Sequence, residues 1–567
     1  MGNGVGNTAS GFAANAEGLS TTASGSAAHS EGYSTLASGD SSHAEGSATI
    51  ASASAAHSEG HLTQAINDTA HAEGTSTIAS GVASHAEGYL TNASGERSHA
   101  EGSMTLAAGA EAHAEGNGTQ AWGDHSHTEG LNTSTQTTAV NAHSEGEGNS
   151  AAGRASHVEG GGVDPLGNPA PNFASGDSSH AEGAGTTSMG FASHAEGGTS
   201  DITGAPGPTA LGDFSHAEGQ NTSASGTAAH AEGFRTLASG NSGSHAEGQS
   251  TTASGTAAHA EGLQATASGP SAHAEGANSV ASGSFSHAEG VSTVSSGAYA
   301  HAEGANTTAD GQASHAEGFM TQAFGVNSHA EGENTLVMPG HTGSHIMGQN
   351  GSTRFAYSWH LANGLAVGPT LNSAVIEGLT GNLYLDGTVT SPAAADYAEM
   401  FETADGLALE PGYFVTFDGA SEKIRKATSG DPYILGVVSA RPAVLADSSD
   451  LRWHKLFVTD EWDRIQYQEV EVPEVRDTEG NVLRAASVKT EPVLNPEWNA
   501  SEEYIPRGER DEWIAVGIVG KLLVRDDGTC RPGSYCMPND EGIATAATAG
   551  YRVMNRTRDD QIRIFVR

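Results

Sequence analysis

A short repeat dominates the first 348 residues of the chain. The pentamer Ser/Ala-His-Ala/Ser-Glu-Gly recurs from His29, mostly in steps of 14 residues, with variant copies at Asn15 and His345. There are 23 copies, of which 22 carry the histidine and 22 the glutamate. A second element of the type Thr-x-Ala-Ser-Gly lies between the pentamers. Two short alternating segments and glycine turns within 14 residues predict one coil of a β-solenoid, because helical repeats need about 33 residues or more.

The small side chains of the repeat limit how a single chain can be stable. Glycine accounts for 76 of 567 residues and aromatic residues for only 6%. At a strand spacing of about 4.8 Å, 23 coils make a rod on the order of 110 Å long. A thin coil filled with alanine buries too little apolar surface to offset backbone ordering of about 1–2 kcal/mol per residue. We therefore predict a homo-oligomer, most simply a homotrimer.

The 14-residue unit resembles the head repeat of trimeric autotransporter adhesins of the YadA type. The unit of that family usually reads Ser-Val-Ala-Ile-Gly, so histidine here replaces the valine and glutamate the isoleucine. The resemblance covers about 60% of the chain and implies a trimeric left-handed parallel β-roll. We expect no C-terminal membrane anchor of the kind found in that family, which argues against a bacterial surface adhesin of the same kind.

The histidine and glutamate of each repeat are predicted to form a stripe. In a strand, His43 and Glu45 point to one side, and Ser42, Ala44 and Gly46 point to the interior of the coil. The uniform His and Glu positions indicate a packed interface between chains, with hydrogen-bonded ladders that raise the pKa of the histidines. A less favoured alternative is metal binding by rings of these side chains, and chloride or water is a further one. Representative positions for a metal are His43, Glu45, His85, Glu87, His273 and Glu275.

The charge of the chain argues against two classes of partner. The formal net charge is -43, and residues 1–350 contain 34 acidic side chains but only three arginines. Binding to nucleic acid or to an anionic membrane requires clustered Lys and Arg, so we expect neither. We expect no secretion signal and no membrane span, because the sequence contains no suitable apolar run. Cys530 and Cys536 are the only cysteines, and the sequence leaves open whether they pair.

Two inserts interrupt the repeat, at residues 160–176 and 197–212. Their Pro, Gly and Asn residues predict surface loops. Such loops can recognise a receptor, but a tolerated insertion is the more economical interpretation.

The composition changes near residue 350, where Trp, Arg, Val and Pro become common. We predict a β connector over residues 349–390 and a mostly β domain over residues 391–567. Five segments of this last region are distinctive: Ala395–Glu399, Ile434–Ser439, Tyr504–Arg507, Gly542–Thr545 and Tyr551–Val553. On these segments the region resembles the peptidase G2 family, the C-terminal intramolecular chaperone domains of phage neck appendages and tail spikes. The resemblance implies that the domain promotes trimer assembly and then releases itself by autoproteolysis.

Asp396 and Glu399 are the candidate catalytic residues. If they lie on a helical turn, their spacing of three residues puts both carboxylates on one face. Paired carboxylates can divide the work, one activating water and the other protonating the leaving amide. The family resemblance places the cleaved bond between Ala395 and Asp396. The alternative is a structural role for both carboxylates, as caps or ion-pair partners.

Our first hypothesis for function is a trimeric fibre or appendage of a phage or prophage particle that attaches to a host. Its expected partners are two further copies of the chain, baseplate or neck proteins, and an unidentified glycan or protein receptor. A bacterial surface or spore adhesin is the alternative. A glycan-degrading tail spike lacks support, since the repeats show no catalytic cleft. We expect no cofactor, and any enzymatic activity would be a single-turnover self-cleavage.

Overall fold

The computed structural model describes residues 2–199, 206–364, 372–391, 394–451, 455–476, 482–484 and 486–567. The chain divides into two compact units, Met1–Asp386 and Gly387–Arg567. Most of the predicted connector, residues 349–386, belongs to the first unit. Among the described residues there is no α-helix, and the single helical element is the 3₁₀ turn Arg507–Glu509. The predicted all-β class is confirmed.

The first unit is a parallel β-solenoid. Each coil contributes a strand that begins at the repeat histidine and a two-residue strand that follows it, and every strand pairs in parallel with its equivalent in the next coil. His43 pairs with His57, Glu45 with Glu59, and Ile50 with Gln64. Successive repeats are therefore in strict register. The handedness and the trimer remain predictions.

The strands of the solenoid follow the repeat. Those that begin at the pentamer are Gly2–Val5, Asn15–Leu19, His29–Tyr33, His43–Ser47, His57–His61, His71–Thr75, His85–Tyr89, His99–Ala100, His113–Ala114, His127–Thr128, His143–Ser144, His157–Gly160, His180–Ala184, His194–Gly198, His216–Gln220, His230–Phe234, His245–Gln249, His259–Leu263, His273–Ala277, His287–Val291, His301–Ala305, His315–Phe319, His329–Val337 and His345–Ser352. The two-residue strands are Thr8–Ala9, Thr22–Ala23, Leu36–Ala37, Ile50–Ala51, Gln64–Ala65, Ile78–Ala79, Asn92–Ala93, Leu106–Ala107, Gln120–Ala121, Ser134–Thr135, Ser150–Ala151, Phe173–Ala174, Thr187–Ser188, Thr209–Ala210, Ser223–Ala224, Leu237–Ala238, Thr252–Ala253, Thr266–Ala267, Val280–Ala281, Val294–Ser295, Thr308–Ala309 and Gln322–Ala323.

The interior of each coil is filled by small side chains. Ser42 and Ala44 are buried as predicted, together with Thr49 and Ala51 of the same coil. The Ser42 hydroxyl donates a hydrogen bond of 2.7 Å to the carbonyl oxygen of Gly39, so the buried polar atom is satisfied. The prediction for Gly46 is wrong, because its φ of +103° breaks the regular alternation within the strand His43–Ser47, and the residue is exposed.

Glycine at the end of each pentamer is required by the close stacking of coils. Gly276 has a φ of +94°, and a Cβ atom there would lie 2.2 Å from the carbonyl oxygen of Gly290 in the next coil. Both the backbone conformation and the contact exclude a larger residue. This explains why the repeat retains glycine after every glutamate.

The first insert forms a mostly exposed loop, as predicted. Val163 and Pro169 form an antiparallel bridge, and the Asp164 carboxylate accepts backbone hydrogen bonds from Leu166 and Asn168. Residues 200–205 of the second insert lie outside the described residues.

The polar stripe ends after His345. Ile346 is buried at the position that alanine occupies in earlier coils, and Met347 replaces the glutamate. Met347 pairs with Leu361, and both side chains are exposed. An apolar surface therefore follows the stripe, in the strands Trp359–Asn363, Asn372–Ile376 and Leu383–Leu385. Residues 365–371 of the predicted connector lie outside the described residues.

The second unit is built around a ten-stranded sheet with the long strand Trp513–Arg525 at its centre. The other strands of this sheet are Asp396–Glu402, Phe414–Phe417, Ile424–Lys426, Gly436–Val438, Val444–Ala446, Tyr535–Pro538, Ala544–Ala547, Tyr551–Arg558 and Gln561–Val566. Two small two-stranded sheets consist of Tyr467–Val472 with Ser487–Pro492 and Val475–Arg476 with Val482–Arg484.

Larger apolar side chains form the core of this unit. Phe414, Val437 and Ile564 are fully buried on or beside the sheet. Cys530 and Cys536 are buried in the same cluster as free thiols. Burial raises the pKa of the Cys536 thiol to about 12, so it is protonated at neutral pH.

Candidate functional site

Asp396 begins the strand Asp396–Glu402, which pairs with the centre of Trp513–Arg525 on one side and with Val444–Ala446 on the other. Its backbone pairs with Gly520 in antiparallel register, and its carbonyl oxygen accepts a 2.8 Å hydrogen bond from the amide of Ala443. The side chain is only 6% exposed, and its Oδ2 atom has no hydrogen-bond partner among the described residues. A buried carboxylate oxygen without a partner is costly, and such an atom is often part of a functional site.

Two glycines bring the opposite strand unusually close to the peptide bond before Asp396. A Cβ atom on Gly520, whose φ is +122°, would lie 2.3 Å from the carbonyl oxygen of Ala395. A Cβ atom on Gly517 would lie 3.0 Å from Oδ2 of Asp396. The amide of Lys521 donates a 3.3 Å hydrogen bond to the Ala395 carbonyl oxygen. The predicted cleavage bond is therefore held beside an unpartnered carboxylate, with a backbone donor on its carbonyl.

The expectation of a helical turn at Asp396 and Glu399 is wrong. Both residues lie in the strand Asp396–Glu402, in which Asp396, Ala398 and Met400 are buried while Tyr397 and Glu399 are half-buried. A three-residue separation in a strand puts two side chains on opposite faces. Glu399 Oε1 instead accepts a 2.8 Å hydrogen bond from the Tyr397 hydroxyl, which raises the pKa of Tyr397. Within one chain, the fold does not place the two carboxylates on the same face.

The second candidate site is the stripe of histidines and glutamates on the solenoid. From His29 to His329, consecutive imidazole rings stack with centroids 4.6–5.0 Å apart and planes within 9° of parallel. The Nε2 atoms lie 3.3–4.0 Å from glutamate oxygens of the same or the preceding coil. These side chains are about one-third exposed; His43 and Glu45, for example, are 35% and 34% exposed. The stripe is thus a half-buried surface of the single chain.

The predicted rise in histidine pKa is not what the solenoid produces. Burial lowers the pKa of His43, His71 and His259, and the positive charge of neighbouring imidazoles lowers it further. The nearby glutamates oppose this shift but do not reverse it. The repeat register stacks like groups on like groups, so each ring has two imidazole neighbours as well as a carboxylate.

The glutamates form a second ladder beside the histidines. Hydrogen bonding between neighbouring carboxyl groups raises the pKa of Glu59 and Glu87 to about 7 and lowers that of Glu73, which lies between them, to about 2. Adjacent carboxyl groups therefore share protons along the stripe. The glutamate and glycine residues of successive pentamers line a shallow groove that runs from Glu45 to Gly130.

Sequence reasoning missed three parts of these sites. Gly517 and Gly520 interrupt a valine-rich strand, a pattern that often marks close approach of another backbone. The Lys521 donor is a backbone group and leaves no mark in the sequence. The third missed feature is the stacking of the imidazole rings, which the 14-residue spacing of the histidines could have indicated.

The fold and these sites define a β-solenoid chain that also carries, in its C-terminal unit, a buried aspartate whose preceding carbonyl oxygen accepts a backbone hydrogen bond. Residues 350–561 match the family model described as Peptidase_G2, IMC autoproteolytic cleavage domain. The resemblance inferred for the C-terminal region is thereby confirmed. The match lies outside most of the solenoid repeats.

Several phage proteins are similar to this part of the chain. The pre-neck appendage protein of Bacillus phage B103 is 36% identical over 173 residues, which are 30% of this chain and 18% of the relative. The pre-neck appendage protein of Bacillus phage phi29 is 34% identical over 159 residues, 28% of this chain and 17% of the relative. The putative phage-related protein YobO of Bacillus subtilis (strain 168) is 33% identical over 186 residues, 32% of this chain and 21% of the relative. The chain thus spans about a fifth of the length of these curated relatives.

Two solved structures are also similar. The crystal structure of the bacteriophage phi29 gene product 12 C-terminal fragment is 30% identical, with 30% of this chain and all of that chain covered and a TM-score of 0.25. The pre-mature bacteriophage phi29 gene product 12 is 15% identical, with 99% of this chain and 74% of that chain covered and a TM-score of 0.37.

Proposed function

We propose that this chain is a structural fibre or appendage of a phage or prophage particle, made in the host cytoplasm and carried on the virion. Three copies form the fibre, which contacts neck or baseplate proteins and attaches to a receptor on the host surface. The names of the similar phage appendage proteins support the role on the particle. A bacterial surface or spore adhesin is the second candidate, since repeats of the YadA type also occur in adhesins. Among the described residues, no helix is long and apolar enough to cross a membrane.

The His–Glu stripe supports assembly into a trimer. It runs along almost the whole solenoid, its side chains are half-buried, and the histidine Nε2 atoms are buried without hydrogen-bond partners among the described residues, except at His216. Packing of two further copies against this surface would bury the stripe around a common axis. The alanine-filled interior cannot supply comparable burial.

We further propose that the C-terminal unit assists this assembly and then separates from the fibre by self-cleavage between Ala395 and Asp396. The observation that carries this step is the buried Asp396 carboxylate beside its own preceding peptide bond. The Asp396 carboxylate takes a proton from water, whose oxygen adds to the Ala395 carbonyl carbon. The Lys521 amide stabilises the resulting oxyanion. The carbon–nitrogen bond then breaks, and the proton passes to the Asp396 nitrogen, leaving a carboxylate on Ala395 and an amine on Asp396.

Glu399 is the second proposed catalytic residue, as the group that relays to the leaving nitrogen the proton that Asp396 takes from water. Its position on the other face of the strand means that it must act from another copy of the chain or after a rearrangement. The Asp396 assignment does not depend on this second step.

Substitution of each carboxylate tests the proposal. Asp396→Asn is expected to leave a full-length band on a denaturing gel, where the parent chain gives fragments 1–395 and 396–567, because the amide cannot accept the proton from water. Glu399→Gln is expected to slow the same cleavage. Tyr397→Phe is the matched control, since it removes the hydrogen bond to Glu399 but retains both carboxylates. Normal cleavage of Asp396→Asn contradicts the assignment, and normal cleavage of Glu399→Gln removes Glu399 from it.

A further inference from the structure

The strongest unexplained feature of the solenoid is the set of buried Nε2 atoms along the stripe. Apart from His216, each stacked histidine from His29 to His345 has an Nε2 atom that is buried and has no hydrogen-bond partner among the described residues. The nearest polar atoms are glutamate oxygens at distances such as 3.6 Å for His230 and Glu232. This separation is too long for a normal hydrogen bond. In the tautomer that carries its proton on Nδ1, the imidazole therefore has a lone pair at Nε2 beside the carboxylate oxygen, across a short gap.

The width of this gap matches the bite of a transition-metal ion. Two ligand atoms bound to Zn²⁺ at about 2.0–2.1 Å in tetrahedral geometry are roughly 3.3–3.4 Å apart. The His–Glu distances are 3.6 Å at His230, 3.5 Å at His245 and 3.6 Å at His259. A shift of a few tenths of an ångström brings each pair to that spacing. His–Glu–His groups such as His230, Glu232 and His245 recur along the solenoid with their ligand atoms within 4.8 Å of one another.

We propose that the stripe binds divalent first-row transition-metal ions of the Zn²⁺ type, each held by one imidazole Nε2 and one glutamate oxygen of a chain. Imidazole and carboxylate together favour Zn²⁺, Co²⁺, Ni²⁺ or Cu²⁺ over Mg²⁺ and Ca²⁺, which prefer oxygen ligands alone. The 34 acidic side chains against three arginines in residues 1–350 attract cations to the same surface.

The stacking of the rings sets the number of ligands. The ring centroids of His230 and His245 are 4.7 Å apart and the rings are parallel, whereas two atoms bound to one ion at about 2.1 Å can be at most about 4.2 Å apart. Adjacent histidines therefore cannot share an ion without moving. Each site has one histidine and one glutamate from the chain, and its remaining positions are open to water or to another copy. Binding thus does not depend on the proposed trimer.

Zinc titration of the full chain tests this proposal. The protein is stripped with a chelator, dialysed, and titrated with ZnCl₂ in a calorimeter, with the bound metal counted by elemental analysis. We expect several zinc ions per chain and no comparable binding of MgCl₂. Equal uptake of both metals would show only loose attraction to acidic side chains and would overturn the proposal.

Two triple variants locate the ions. His230→Gln, His245→Gln and His259→Gln together are expected to remove one ion for each imidazole replaced, while Glu232→Gln, Glu247→Gln and Glu261→Gln together keep the rings and remove the same number. His61→Gln is the control, because His61 is exposed and outside the stack. An unchanged zinc count in both triple variants contradicts the proposal. Light scattering of the same chelated samples reports the oligomeric state separately, so failure of metal binding and failure of the trimer are distinguishable.

Discussion

At the scale of single residues, the C-terminal unit depends on where glycine replaces a side chain. Gly520 lies against the Ala395 carbonyl oxygen, and Gly517 lies against the Asp396 carboxylate. The contact at Gly520 keeps the peptide bond before Asp396 close to the amide of Lys521. A side chain at Gly520 would displace this bond from its donor, whereas a side chain at Gly517 would crowd the Leu522 side chain and the Asp396 carboxylate.

Replacement of Gly520 by alanine tests that requirement. The new Cβ would meet the Ala395 carbonyl oxygen at 2.3 Å, so we expect the peptide to shift and self-cleavage to fall by at least tenfold. The left-handed backbone alone costs on the order of 1–3 kcal/mol, which chemical denaturation measures. Gly528→Ala is the matched control, since Gly528 has a φ of +89° and open space around it. Equal cleavage by the two variants contradicts a specific role for the close approach.

At the scale of structural elements, the stripe combines side chains whose titrations have opposite effects on stability. Burial lowers the pKa of His259 and His287, so these groups favour the folded state when neutral. Their stabilisation is complete above the unfolded pKa of about 6.5 and is lost as the pH falls through the folded pKa. Carboxyl groups with a raised pKa, such as Glu87, have the opposite effect: they stabilise the folded state as the pH falls and they become protonated.

Comparison of the parent with a double variant separates the two ladders. We expect the parent to lose more thermal stability than the double variant His259→Gln, His287→Gln when the pH falls from 8 to 5. In the parent, protonation of the two imidazoles favours the unfolded state, where their pKa is higher, and glutamine cannot be protonated in this range. Melting curves of both proteins in the presence of a chelator measure this difference. A parent that gains stability relative to the variant on acidification would show that glutamate raises the histidine pKa after all.

Much of the fold could be predicted from the sequence, because every copy of the repeat gives the same strand positions and the same register. The 14-residue spacing fixes which residues stack, and the small residues Ser42 and Ala44 identify the interior. The segment Tyr551–Val553, within the domain predicted to be mostly β, also lies in a strand, which extends to Arg558. The prediction for Gly46 fails because alternation assumes a regular extended backbone, whereas Gly46 has a φ of +103° within its strand.

The candidate cleavage site was harder to predict. Two side chains three residues apart lie on the same face of a helix but on opposite faces of a strand. The segment that begins at Asp396 has no strong preference for either structure. Pairing with Trp513–Arg525, more than 100 residues away in sequence, decides the outcome. Buried partners such as the Lys521 amide come from that same distant strand.

At the scale of the whole molecule, the account depends on the small interior of the solenoid. Its core clusters consist almost entirely of alanine, whereas the C-terminal unit has Phe, Ile and Val in its core. A long thin rod of this kind gains most from lateral association of copies, and the His–Glu stripe is the long regular surface available for it. Cleavage after assembly would then leave the fibre without the unit that helped to form it.

Native mass spectrometry of the purified protein in dilute neutral buffer tests this central claim most directly. The chain has a mass of 57.3 kDa. We predict a particle that contains three copies, either of the whole chain or of the fragment that ends at Ala395. A folded particle with the mass of one chain would contradict the account.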